Sequence, residues 1–145
     1  MLPTDRANAL VSSLASENRP NAEAVLTRLI AWSNQRLLLL QFDQSILEYP
    51  HVRFSMRDGR AFWIARGTTN NDSKIEILTR TLSDLPASVL DQLYDVLGPI
   101  LPREHKRGDV LQIPTASLRS AVSLDVLESA MDFALGAAAV LISAK

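Results

Sequence analysis

The fold is decided by residues 52–66, which read VRFSMRDGRAFWIAR. Asp58-Gly59 is a dipeptide favoured in two-residue type I′ turns, so the alternating residues on either side predict a β-hairpin. The predicted cross-strand pairs are Arg57 with Arg60, Met56 with Ala61, Ser55 with Phe62, Phe54 with Trp63, Arg53 with Ile64 and Val52 with Ala65. Because paired residues share a face of the sheet, one face is expected to be core. It would carry Val52, Phe54, Met56, Ala61, Trp63 and Ala65.

The opposite face of this hairpin is basic but includes two large apolar side chains. It would carry Arg53, Ser55, Arg57, Arg60, Phe62, Ile64 and Arg66. A third strand, Lys74–Arg80, would add Leu78 beside Phe62 and Ile64. An apolar spot ringed by arginines is typical of a peptide-binding surface. The alternative is that a helix covers this face and the arginines form its fringe, and the sequence leaves both open.

Helices are predicted before the hairpin. Thr4 can cap a helix over Asp5–Ser16, and a second helix starts near Asn21. The run Arg36–Phe42 contains four consecutive leucines and has no readable period, so it fits either a helix or a short strand. We expect the second helix to continue through it and to end before Pro50.

The C-terminal half predicts two further helices and a second hairpin. One helix opens at Ser83, carries Pro86 in its first turn and ends at Gly98-Pro99. Asp109–Ile113 and Ser117–Val122 predict a shorter hairpin, and Ser123 would cap the last helix. The predicted order is α-α-β-β-β-α-β-β-α: one α+β domain over residues 1–145, with an antiparallel sheet of about five strands and an extra N-terminal helix in residues 1–20.

Composition excludes several classes of protein. The 145 residues are 47% apolar and 21% charged, which is ordinary for a globular protein and not for a disordered one. The net charge of −1 gives no overall field for nucleic acid, and the absence of cysteine excludes disulfides and thiolate metal sites. The apolar run Phe133–Ile142 is too short for a membrane span, and no signal peptide is visible.

No motif points to catalysis. His51 and His105 lie on different elements without spaced acidic or histidine partners, and neither a G-x-S-x-G nor a G-x-x-x-x-G-K-[ST] pattern occurs. We therefore expect no enzyme activity, no cofactor and no metal site. The rival function is nucleic-acid binding through the basic hairpin 51–66, where arginines could contact phosphates and Phe62 could stack on a base.

The order of elements resembles a known family. The resembling residues are IEILTRTLSDLP (75–86), VLDQLYDVL (89–97), GDVLQIP (108–114) and LDVLESA (124–130), with Phe133 and Ala137-Ala138. In these residues the chain resembles the type III secretion chaperones of the CesT/Tir class I type, whose fold a YbjN-like group shares. The resemblance implies a cytoplasmic bacterial homodimer that binds an extended N-terminal segment of a secreted effector and uses no cofactor.

The resemblance also implies positions for two surfaces. The dimer interface would involve Leu90, Leu93, Tyr94 and Leu97. The effector would contact Phe62, Ile64 and Leu78, with Arg53, Arg60 and Arg66 around them.

Overall fold

The computed structural model describes residues 5–43, 49–78, 87–100 and 111–143, with backbone alone for residues 87 and 139–143. The helices are α1 (Asp5–Ser12), α2 (Arg19–Asn34), α3 (Ala87–Leu97) and α4 (Ala121–Ser143). The strands are β1 (Leu40–Phe42), β2 (His51–Met56), β3 (Ala61–Gly67), β4 (Ser73–Ile77) and β5 (Leu111–Pro114). Single 3₁₀ turns cover Ser16–Asn18 and Thr115–Ser117. The predicted α+β class is confirmed, and the predicted order of elements holds in outline.

The five strands form one antiparallel sheet in the order β1-β2-β3-β4-β5, and α3 lies in the connection between the last two. Apolar residues line up across its core face because side chains alternate along each strand. The two central rows are Val52–Ala65–Ile75–Ile113 and Phe54–Trp63–Ile77–Leu111. All eight residues are buried.

The hairpin turn differs from the prediction by one residue. Met56 N donates to Arg60 O at 2.7 Å, and Gly59 N donates to Met56 O at 2.9 Å, so the loop has three residues rather than two. Gly59 has φ +94°, as expected for the left-handed residue of such a loop. Ser55 therefore faces Ala61 instead of Phe62, and a β-bulge follows. Beyond the bulge the predicted pairs from Phe54–Trp63 to Val52–Ala65 are confirmed.

Helices α1 and α2 cover the core face. Helix α1 packs on β2, and its Ala7 and Leu10 are fully buried. In α2, Ser33 Oγ accepts a 2.9 Å hydrogen bond from Trp63 Nε1, which satisfies the one polar atom of a fully buried indole. The extra N-terminal helix is therefore an integral part of the core.

The prediction of helix over Arg36–Phe42 is wrong. Helix α2 ends at Asn34, and residues 40–42 form an edge strand paired with β2. Leu40 faces Met56 and is fully buried, whereas the three preceding leucines are on the surface. Burial of the one leucine that can reach the core outweighs the helical preference of the run. The helix was predicted to end near Tyr49. Residues 44–48, which precede Tyr49, lie outside the described ranges.

The prediction of a strand over Ser117–Val122 is also wrong. Thr115–Ser117 forms a 3₁₀ turn, and α4 begins at Ala121. Ser123 N donates to Ser120 Oγ and Ser120 N donates to Ser123 Oγ, both at 3.1 Å. This reciprocal capping makes Ser120 the helix cap, not Ser123.

Other predicted features fall partly or wholly outside the described residues. They are Thr4, Arg80, the helix start at Ser83 with Pro86, and Asp109. Within the described ranges, no helix has the length and apolar character needed to cross a membrane.

Candidate functional site

The predicted binding surface lies on the sheet face opposite the core, here called the outer face. Two rows of cross-strand neighbours define it: Arg53–Ile64–Glu76–Gln112 and His51–Arg66–Lys74–Pro114. Ile64 is at its centre but is only 9% exposed, and Leu78 is half-buried. The outer face therefore presents mainly polar atoms.

Phe62 does not belong to the outer face, which corrects the prediction. The bulge turns its side chain toward α2, where it is fully buried and stacks on Trp32. The neighbouring Trp63 reaches the same helix through Ser33. In a regular strand these two neighbours would point to opposite faces. The apolar spot expected from Phe62, Ile64 and Leu78 is thus not formed.

The three arginines predicted to surround that spot are each paired with a carboxylate. Arg53 Nη2 lies 2.9 Å from Asp43 Oδ2, which also accepts a 2.6 Å hydrogen bond from Ser55 Oγ. Arg60 Nε lies 2.8 Å from Asp58 Oδ2.

The third pair contains the most buried carboxylate of the three. Arg66 Nε lies 2.7 Å from Glu76 Oε1, although the N–H does not align with it as a hydrogen bond. The Glu76 side chain is 7% exposed, and its other oxygen accepts a 3.2 Å bond from Gln112. Arg53, Arg60 and Arg66 therefore stabilise the sheet and its turn, and most of their charge is compensated.

Asp58 shapes the hairpin turn. Burial opposes its ionisation, but hydrogen bonds from the backbone N–H and guanidinium of Arg60, together with the Arg60 charge, outweigh burial and lower the pKa of Asp58. The carboxylate thus accepts a 3.1 Å bond from Arg60 N as well as the ion pair. This local network fixes the loop in its three-residue form.

Among the described residues, the largest group of adjacent exposed apolar side chains lies elsewhere, in the leucine turn, which we define as Leu37–Leu39. Leu38 is 94% exposed, and its neighbours are 50% and 37% exposed. Arg57 fixes the turn from the adjacent hairpin: its Nε donates to Leu37 O at 2.8 Å and its Nη2 donates to the same oxygen. Arg57 N also donates to Leu39 O at 3.1 Å. The leucines are therefore held at the surface by hydrogen bonds to their backbone.

The leucine turn runs directly into an edge strand. Arg57 N donates to Leu39 O and Asp43 N donates to Arg53 O at 2.9 Å, so the backbone groups of Leu39 and Asp43, which flank β1, face β2. In an antiparallel ladder Leu40 and Phe42 direct their backbone groups to the other side, where Leu40 N donates to Arg36 O at 2.8 Å. No other strand among the described residues pairs there. Exposed leucines and an edge strand thus occur side by side.

The predicted dimer residues on α3 divide into two groups. Leu93 and Leu97 are 1% and 0% exposed, because α3 packs on α4 in the same chain. Leu90 and Tyr94, the second group, are only partly buried against this core. Val96, which was not among the predicted residues, is 36% exposed on the same helix.

The leucine turn was not assigned to a site from the sequence, and Arg57 was placed only on the basic face of the hairpin. The signal was present, since four consecutive leucines cannot all be buried by one short element. What was missing was the position at which helix gives way to strand. That position decides which leucines are exposed.

In the described part of the chain, no three histidine, aspartate or glutamate side chains cluster as metal ligands would. Comparison of the chain with protein-family models, with curated proteins and with solved structures finds no match in any of the three.

Proposed function

We propose that this protein is a non-catalytic protein-binding domain that holds an extended segment of a secreted effector, as secretion chaperones do. The observation that carries the proposal is the leucine turn beside the edge strand β1. Leu38 is 94% exposed although the backbone around it is fixed by Arg57. A contiguous apolar surface of this kind marks an interaction site more often than a tolerated exposure.

The edge strand supports an extended partner rather than a compact one. The Phe42 backbone and the Leu40 carbonyl point away from β2, whereas Leu40 N already donates to Arg36 O at 2.8 Å. An extended segment could hydrogen-bond to the Phe42 backbone and the Leu40 carbonyl while its side chains contact the leucines. β1 has only three residues, which limits unwanted pairing between sheets. Backbone pairing would provide the extended conformation and the leucine turn would provide the apolar contact.

Nucleic-acid binding is less well supported. It requires cations free to contact phosphates. Arg53, Arg60 and Arg66 are each paired with a carboxylate, which leaves Arg57 as the one arginine of the hairpin without such a partner among the described residues. Phe62 is buried under α2, where it cannot stack on a base.

We also propose that the protein acts in the cytoplasm as a homodimer. The surface that supports dimerisation on α3 is the group of Leu90, Tyr94 and Val96, which the chain's own core leaves partly exposed. Leu93 and Leu97 would support it indirectly by fixing α3 on α4.

A photo-crosslinking experiment tests the binding proposal. A benzoylphenylalanine placed at Leu38 should crosslink to one protein in the native cells, near the N-terminus of that protein. The matched control is the same group at Val122, which is 72% exposed at the start of α4. The identified partner, once purified, should bind Leu38→Asp at least about tenfold more weakly, while Val122→Asp binds normally. Equal crosslinking at both positions, or unchanged affinity of Leu38→Asp, would refute the proposal.

A further inference from the structure

We propose that the segment bound at the leucine turn carries an aspartate or glutamate close to its apolar anchor, and that Arg57 recognises this carboxylate. The inference rests on the proposed function, because it specifies the chemistry of the partner bound at the same surface. The observation behind it is the positive charge of Arg57, which has no carboxylate partner among the described residues.

Arg57 differs from the other arginines of the hairpin. Arg53, Arg60 and Arg66 each lie within 2.9 Å of a carboxylate oxygen. Within the described residues, the Arg57 guanidinium instead contacts only neutral acceptors, Leu37 O and Gln41 Oε1. Its charge is exposed directly beside the leucine turn.

The geometry leaves Arg57 able to bind a carboxylate without leaving its present position. Of the five N–H groups of a guanidinium, Nε and one on Nη2 donate to Leu37 O, and one on Nη1 reaches Gln41 at 3.4 Å. One N–H on each terminal nitrogen stays available, and the two terminal nitrogens of a guanidinium can together bind the two oxygens of a carboxylate. The arginine would thus fix the leucine turn and bind the partner at once.

The other charged side chains described near the turn are paired and do not compensate the charge of Arg57. Arg36 lies 2.7 Å from Asp132 and its Cζ is 4.2 Å from the Trp32 ring centroid, so it is occupied within the chain. Asp58 is paired with Arg60. Counted over the residues that the structure describes, one positive charge is in excess next to the three leucines, and this favours an apolar segment with a negative charge over a neutral or basic one.

Selection from a displayed library of random twelve-residue peptides tests this inference. Peptides selected by the wild-type protein should combine a large apolar residue with Asp or Glu a few positions away. Selection by Arg57→Gln should keep the apolar preference and lose the acidic one. The matched control is Arg119→Gln, an exposed arginine just before α4, which should select the same peptides as wild type.

A double-mutant cycle on one selected peptide gives the quantitative test. Replacing its acidic residue by the amide should weaken binding to wild type about tenfold, and Arg57→Gln should weaken binding of the original peptide similarly. Both changes together should cost little more than either one, because they remove the same contact. The peptide substitution leaves the protein intact, so this arm is informative even if Arg57→Gln disturbs the turn. Additive losses, or an acidic preference that survives Arg57→Gln, would overturn the inference.

Two variants separate the inference from the function on which it rests. If Leu38→Asp still selects the wild-type peptides, the leucine turn is not the binding surface and the proposed function fails. If only the Arg57 prediction fails, the proposed binding function is retained, and the proposal that the bound segment carries a carboxylate is rejected.

Other occupants of the turn would also overturn the inference. One such result is cosedimentation with phosphatidylserine vesicles that Leu38→Asp abolishes. Another is a dimer of the free protein that the same substitution dissociates.

Discussion

The indole ring of Trp32 lies nearly parallel to the phenyl ring of Phe62, with centroids 6.3 Å apart and an interplanar angle of 13°. Trp32 is 3% exposed and its Nε1 donates to Asp132 Oδ1 at 3.1 Å, so the stack links the sheet to α2 and to α4. Phe62 reaches this position only because it is the bulged residue of β3. One extra residue in a strand thus moves an aromatic side chain from a predicted binding surface into the core.

This position predicts the effect of truncating Phe62. Phe62→Ala should lower the free energy of unfolding by about 3–5 kcal/mol, because it removes a fully buried ring and leaves a cavity against Trp32. Urea denaturation followed by circular dichroism measures the change. Val122→Ala is the control, and its side chain is 72% exposed, so a change within about 0.5 kcal/mol is expected. Equal effects of the two substitutions would mean that Phe62 is on the surface after all.

Helix α3 gives a second test. Leu93→Glu should unfold the chain or remove its cooperative thermal transition, since it places a charge at a position that is 1% exposed. Val96→Glu lies on the same helix at 36% exposure and should leave the monomer folded. Differential scanning calorimetry and sedimentation velocity read out folding and association. A stable, folded monomer of Leu93→Glu would show that Leu93 serves an interface between chains and not the core.

Replacement of two glycines by alanine should change the free energy of unfolding in opposite directions. Gly59→Ala should destabilise the protein by about 1–2 kcal/mol, because φ is +94° and the left-handed region is unfavourable for alanine. Gly136→Ala should stabilise it by about 0.5–1 kcal/mol, because the position is inside α4 and an added Cβ meets nothing within 4 Å. Chemical denaturation of both variants checks the pair. A stabilising Gly59→Ala would contradict the left-handed conformation of Gly59.

The lowered pKa of Asp58 predicts a pH dependence. A carboxylate whose folded-state pKa lies below its ordinary value of 3.8 stabilises the fold at higher pH, and that contribution disappears as the pH falls through the folded-state value. Wild type should therefore be more stable than Asp58→Asn at neutral pH, and the difference should shrink below pH 3.8.

Because Asp58 is partly exposed, the effect should be small and weaker at about 1 M salt. Denaturation curves at several pH values measure it. If the stability difference between wild type and Asp58→Asn grew as the pH fell, the result would contradict a lowered pKa of Asp58.

Much of the sheet followed from local pattern. Alternation of apolar residues placed β2, β3 and β4 and the core rows through Phe54 and Trp63. The helices α1, α2 and α4 were anticipated from apolar spacing, with ends that differ by a few residues. The candidate site was predicted less well, because it depended on the face to which each side chain points. A one-residue shift in register inverts that face.

The amino-acid sequence predicts the α+β class, the antiparallel hairpin around Asp58-Gly59 and the identity of most core residues, since these depend on periodicities within ten or so neighbouring residues. It does not predict the bulge at Phe62, the edge strand at Leu40 or the pairing of Arg53 and Arg66 with carboxylates on neighbouring segments. These features depend on contacts between different elements of the folded chain, such as the packing of Phe62 on Trp32. The free energy of packing and charge pairing there exceeds the small local preferences that a sequence pattern reports.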